Sequence, residues 1–138
     1  MKATIHNLNE CSAQDVFDTI VEHLRAQGEQ CLVPLVEYDG LSCKYRYEKE
    51  NGHVLHCAAG CLIPNESYNP RFEGISWPVL IKKGWVSEKH SALIAQMQVV
   101  HDSTYVPLWE SRFYSIALSH GLVYSPPAAT QPDHTPPT

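Results

Sequence analysis

The sequence predicts an α+β domain, with three main helices packed on one face of a small antiparallel sheet. Three observations lead there. Apolar residues recur at spacings of three and four in three separate stretches, each bounded by capping residues. Between the first two stretches lies a hairpin pattern centred on Glu50-Asn51-Gly52. The chain has 138 residues, and a chain of that size buries roughly 68% of the surface its unfolded form exposes, enough for one core.

The first helix is predicted over 13–27. Ser12 is placed to cap it, and Asp15 three residues on completes a capping box. Val16, Phe17, Ile20, Val21 and Leu24 form one stripe, and Gly28 stops the helix. Residues 29–41 carry an apolar run, but Pro34 removes a ladder donor, so an edge strand or extended connection is expected. Residues 41–59 read as a β-hairpin. A three-residue loop with a left-handed Gly52 sets Cys43, Tyr45 and Tyr47 on one face with Leu55, Cys57 and Ala59. That register gives one wholly apolar face, which is what fixes strand pairing.

Residues 64–86 hold prolines, glycines and four large aromatics, and only 77–83 fits a helix, with Ser76 as its cap and Gly84 as its stop. The rest should be an ordered loop, with Trp77 and Trp85 folded into the core. A second long helix is expected from Ser87, its cap, to Asp102-Ser103, with Leu93, Ile94, Met97, Val100 and His101 along one face. Pro107 opens the last helix and Gly121 stops it. Residues 1–124 thus form a single globular domain. The segment 125–138 holds five of the ten prolines and should be a disordered tail.

The net charge is −5 and hydrophobic residues make up 43%. This mildly acidic balance speaks against direct nucleic-acid binding, which needs clustered Lys and Arg. No apolar run approaches the roughly 20 residues of a membrane span, and the N-terminus has no signal-peptide pattern. A cytoplasmic protein without membrane attachment is expected. Five cysteines at irregular intervals then read as thiols or metal ligands rather than as a disulfide framework. Cys43 and Cys57 should be buried on the helix-facing side of the hairpin, and Cys11 exposed.

The segment His53 to Cys61 packs four potential zinc ligands into nine residues. On a strand they point to opposite faces and cannot easily converge. A better set combines Cys43, Cys57, Cys61 and His101, with stoichiometry suited to zinc. A thiol enzyme is a further reading, with Cys61 as nucleophile, His101 as base and Asp102 as orienter. Against it, Pro64 leaves almost no helix after Cys61, and the adjacent His101 and Asp102 should diverge. There is no phosphate-cradling loop, H-E-x-x-H or G-x-S-x-G motif. Glu66, Glu73, Glu88 and Glu110 are scattered and read as solvated surface groups.

The Val16-Phe17 helix, Cys43-x-Tyr45-Arg46, the Cys57-Ala58-Ala59-Gly60-Cys61-Leu62-Ile63-Pro64 segment, the helix ending in His101-Asp102 and the last helix with Trp109 together resemble a group of short uncharacterised proteins of bacteria and phages. The resemblance covers about residues 13–122. It implies no activity, only the context of an accessory protein that binds and blocks a host component, in the host cytoplasm if phage-encoded.

These observations order three functions. The first is a non-enzymatic protein that binds a protein partner through the 64–86 loop, where Tyr68, Arg71, Phe72, Lys82 and Lys83 offer aromatic anchors and a local positive patch. The second is a small zinc-binding domain, and the third is a thiol-dependent enzyme. The first requires no cofactor.

Overall fold

The computed structural model of the chain describes residues 1–34 and 41–128. Helix α1 spans Ala13–Gln27. Ser12 accepts the Asp15 amide, the Asp15 carboxylate accepts the Ser12 amide, and Gly28 closes the helix at φ 69°. Both ends are therefore satisfied by the residues that predicted them. Preceding it, residues 1–11 pack on the body and do not trail from it. Ala3, Leu8 and Cys11 are buried, and the Ile5 amide donates to the Leu62 carbonyl at 2.8 Å. Cys11 is thus a core residue and not the exposed thiol expected; its Sγ donates to Asn7 Oδ1 at 3.3 Å.

Among the described residues the β structure is two separate antiparallel pairs. Strand β1 (Leu32–Pro34) pairs with β2 (Leu41–Cys43), and β3 (Arg46–Glu48) with β4 (Val54–His56). The second pair sets Tyr47 opposite Leu55, the register expected from a three-residue loop, and Gly52 is left-handed at φ 84°. One long hairpin over 41–59 does not form. At Tyr45 and Arg46 the backbone amides turn to the Glu73 carboxylate, at 3.0 and 3.2 Å, and the ladder breaks there. Glu73 also accepts the Tyr68 hydroxyl at 2.7 Å, so it is a clamp and not a solvated surface group. Pro34 pairs with Leu41 in a two-stranded sheet, where its missing donor is tolerated on an edge strand. Asp39-Gly40, part of the expected connection, lies outside the described residues.

After β4 the chain makes a 3-10 turn at Gly60–Leu62 directly against Tyr45. A Cβ on Gly60 would lie 2.0 Å from the Tyr45 carbonyl oxygen, so only glycine fits this approach. Short turns fill 65–72, and α2 (Trp77–Lys82) follows. Helix α3 runs over Ser91–Ser103 and α4 over Trp109–His120. The start of α3 differs from expectation. Ser87 accepts the Lys89 amide and donates to Asn9, while His90 precedes the helix at φ 67° with its ring on the Cys11 carbonyl. Ser87 therefore anchors the chain to the N-terminal segment instead of capping α3.

The core lies between α1, α3 and α4 and under the 57–63 segment, with Phe17, Ile20, Leu24, Leu62, Ile94, Met97 and Phe113 at its centre. The strands are too short to form a floor, so the helices pack mainly on one another. Among the described residues no helix is long and apolar enough to cross a membrane. Beyond α4, Val123 exchanges hydrogen bonds with the Gln14 side chain, and the Ser125 carbonyl accepts from Arg25. The ordered body thus reaches Ser125, one residue into the expected tail; residues 129–138 lie outside the described region.

Candidate functional site

The structure gathers Cys43, His101 and Asp102 at one corner of the molecule, where the end of β2 meets the last turns of α3. A thiol, a ring nitrogen and a carboxylate oxygen there all lie within 4.8 Å of one another. His101 and Asp102 do not diverge: Nδ1 of His101 is 2.7 Å from Asp102 Oδ1. The fully buried His101 ring also accepts the Cys31 amide at Nε2, at 2.8 Å. That second contact fixes the tautomer. Nε2 holds the lone pair, so Nδ1 carries the proton and donates it to Asp102. Neutral His101 is tied at both nitrogens. It orients Asp102 and has no free lone pair to serve as a base or a metal ligand.

Gln98 organises the rest. Its Oε1 accepts the Ala59 amide at 2.9 Å, and its Nε2 donates to Cys43 Sγ at 3.0 Å and to Asp102 Oδ1 at 2.8 Å. Both amide hydrogens are therefore used. Gln98 and Asp102 stand four residues apart on α3, so one helix face supplies both. Cys57 is fully buried, and its sulfur accepts the Gly60 amide at 3.2 Å.

The donors that face Cys43 change its chemistry. Interaction with Cys57, and after it with His101, outweighs burial and lowers the Cys43 thiol to about 7. For Asp102, burial opposes charge, but the hydrogen bonds from His101 and Gln98 help keep its pKa low. The remaining cysteines move the other way. Burial pushes Cys31 and Cys61 up to about 12 and raises Cys11, and burial with the Cys43 neighbour raises Cys57. At neutral pH Cys43 is the one cysteine with substantial thiolate, the form that attacks electrophiles.

Cys43 opens onto a cavity of about 330 Å³, lined mostly by apolar atoms. Ile75, Trp77, Pro78 and Ile94 form its walls, with Cys43, Gln98 and Asp102 at the polar end. The volume sits at the small end of ligand-sized pockets, which run from roughly 300 to 1,000 Å³. Trp77 is 6% exposed, and its indole N–H has no hydrogen-bond partner. A buried unpaired donor of this kind is uncommon.

The expected sites are distributed otherwise. Cys61 faces away, beside Lys2, His23 and Thr4, and its thiol donates to the Ala58 carbonyl at 3.1 Å. It joins neither the zinc set nor the catalytic set proposed for it. Of the loop residues, Phe72 is buried and Tyr68 is half-buried and bonded to Glu73, whereas Arg71, Lys82 and Lys83 are exposed. Trp85 is not core as expected: it is 40% exposed, with Phe72 beneath it at 5.5 Å and Lys83 Nζ over the ring at 5.2 Å. Gln98 and Trp77 escape sequence reasoning as site residues; the one signal was the four-residue spacing of Gln98 and Asp102. Comparison with protein-family models, curated proteins and solved structures finds no match.

Proposed function

We propose that this chain is a thiol-dependent protein whose apolar pocket takes a small molecule bearing an electrophilic group, and that Cys43 is the thiol that attacks it. The observation that carries this reading is the position of Cys43: half-buried, opening on a cavity, and held by the Gln98 amide beside Asp102. A thiol lowered to about 7 is ionised in part at neutral pH without a separate base, which agrees with a histidine that has no lone pair to offer. The cavity walls would hold the apolar part of the substrate.

The test compares two alkylating probes, iodoacetamide and a benzyl-substituted chloroacetamide, each read by peptide mapping. Relative to the unfolded chain, the benzyl probe should favour Cys43 at least tenfold over the small probe, about 1.4 kcal/mol of pocket binding. Equal preference in folded and unfolded protein would remove the pocket from the account.

A second reading, binding of an acidic protein partner, draws on Trp85. An exposed tryptophan with adjacent cations is the chemistry of an interface anchor. The surface would comprise Arg71, Lys82, Lys83 and Trp85, without Phe72. Alanine at Lys82 and Lys83 should leave stability within about 0.5 kcal/mol and weaken such binding at least tenfold, about 1.4 kcal/mol. Unchanged binding would place the partner elsewhere.

A further inference from the structure

We infer that Gln98 is a positioning residue for the thiol: its side-chain amide holds Cys43 Sγ at the polar end of the cavity and stabilises it as thiolate. The inference rests on the reading of Cys43 as the attacking thiol and names the group that prepares it. Its basis is an amide whose orientation is forced. The Ala59 backbone N–H can only donate, so the atom 2.9 Å from it is Gln98 Oε1, and Nε2 faces the corner. One Nε2 hydrogen goes to Asp102 Oδ1 at 2.8 Å, and the other goes to Cys43 Sγ at 3.0 Å. The side chain is thus fastened to the backbone after β4 and to its own helix, and the remaining N–H is aimed at the sulfur.

The charges around the thiol give this donor its weight. Glu73, from the turn before α2, and Asp102, from α3, both line the cavity, and among the described residues no Lys or Arg does. The Asp102 carboxylate lies within 4.8 Å of the sulfur. His101 is neutral and gives its proton to Asp102. Tyr45, on the same wall, donates its hydroxyl to the Ile75 carbonyl. Cys31, beside the strand that pairs with β2, and Cys57 stay protonated at neutral pH. Lys44, next in sequence, does not line the cavity. A thiolate here therefore faces like charge from two carboxylates, which opposes its formation. Among the described residues Gln98 supplies the one N–H that the Cys43 sulfur accepts. A donor to the charged form favours that form, and such a bond is about twice as strong as a neutral one. The bond tightens as the sulfur ionises, so it holds the reactive form in place.

The experiment follows iodoacetamide alkylation of Cys43 against pH, by peptide mapping, in the full chain and in Gln98→Met and Gln98→Glu. Gln98→Met keeps the side-chain length and removes the donor without adding charge. Its midpoint should rise by about one pH unit or more, the weight of a hydrogen bond to a charged group. Gln98→Glu can still accept the Ala59 amide but adds a negative charge, so its midpoint should rise further. A Gln98→Met midpoint equal to wild type overturns the inference, because a shift in Gln98→Glu alone is the effect of its charge. Glu110→Ala, at the α1–α4 pair, controls for lost stability and should leave the midpoint in place; an equal shift there also overturns the inference. Nuclear magnetic resonance of the wild-type chain decides the matter if Gln98→Met fails to fold. One Gln98 Nε2 proton resonance should move with pH at the Cys43 midpoint and stay still in Cys43→Ala. A resonance that does not move, or moves equally in Cys43→Ala, overturns the inference. Should Cys43 alkylate selectively while neither measurement responds to Gln98, the positioning role falls and the thiol reading stands. Should Cys43 fail to alkylate selectively, both fall.

Discussion

Two polar clusters tie the helices together, and they are built to different ends. Between α1 and α4, Arg25 makes a bidentate pair with Glu110, at 2.9 and 2.7 Å. Tyr124 closes over it, donating to Glu110 at 2.8 Å while its ring lies under the guanidinium. Every group there has a partner of fixed charge, and the cluster holds the C-terminal segment down. The corner at Cys43 is also densely bonded, but its central atom is a sulfur that faces a cavity. Bonds at the first cluster close the structure. At the second they position one reactive atom and leave its front open. Satisfaction of hydrogen bonds thus does not separate a structural cluster from a chemical one; what the central atom faces does.

The largest expected effect tests what supports the second cluster. Gly60→Ala places a Cβ against the Tyr45 carbonyl and should cost about 3 kcal/mol or more, since backbone must move. Urea denaturation measures it. A loss below about 1 kcal/mol would mean that the 57–63 segment shifts freely, and the hold of the Ala59 amide on Gln98 would lose its support.

The first cluster should yield less. Glu110→Ala should cost about 1 kcal/mol, because the pair is bidentate but partly exposed. Its pH dependence has a definite sign. The hydrogen bonds from Arg25 hold the Glu110 carboxyl below its ordinary value. Its contribution is therefore present above the ordinary carboxylate range and lost as pH falls through the lowered folded value. The difference in stability between wild type and Glu110→Ala should vanish in acid. A difference that persists at low pH would assign the cost to packing.

The helices were legible in the sequence, and so was the register of β3 and β4. Capping residues and apolar spacing act locally, so Ser12, Asp15, Gly28 and Gly52 declare their roles to any reader of the chain. The site was half legible. Cys43, His101 and Asp102 stood out as residue types, but which thiol joins them depends on where the chain turns after Ala59, and that is set by the contact of Gly60 with Tyr45. Glu73 and Gln98 gave little sign. A carboxylate that breaks a ladder and an amide that bridges a thiol to a helix act across 28 and 55 residues of sequence, beyond any periodicity.

A smaller effect separates zinc from thiol chemistry at the same corner. With His101 bonded at both nitrogens, a chelator should leave the melting temperature unchanged. A structural zinc would contribute folding energy, so a large drop on chelation, with one zinc per chain as purified, would mean that His101 gives up the Cys31 amide to bind metal.

The most direct measurement is the rate of alkylation of each cysteine in the native protein as pH is varied. The account predicts that Cys43 reacts first and that its rate rises through a midpoint near 7, the value set by its neighbours, while Cys11, Cys31, Cys57 and Cys61 stay slow. A Cys43 midpoint at the ordinary thiol value of about 8.5, or faster labelling of Cys11 or Cys61, would contradict it.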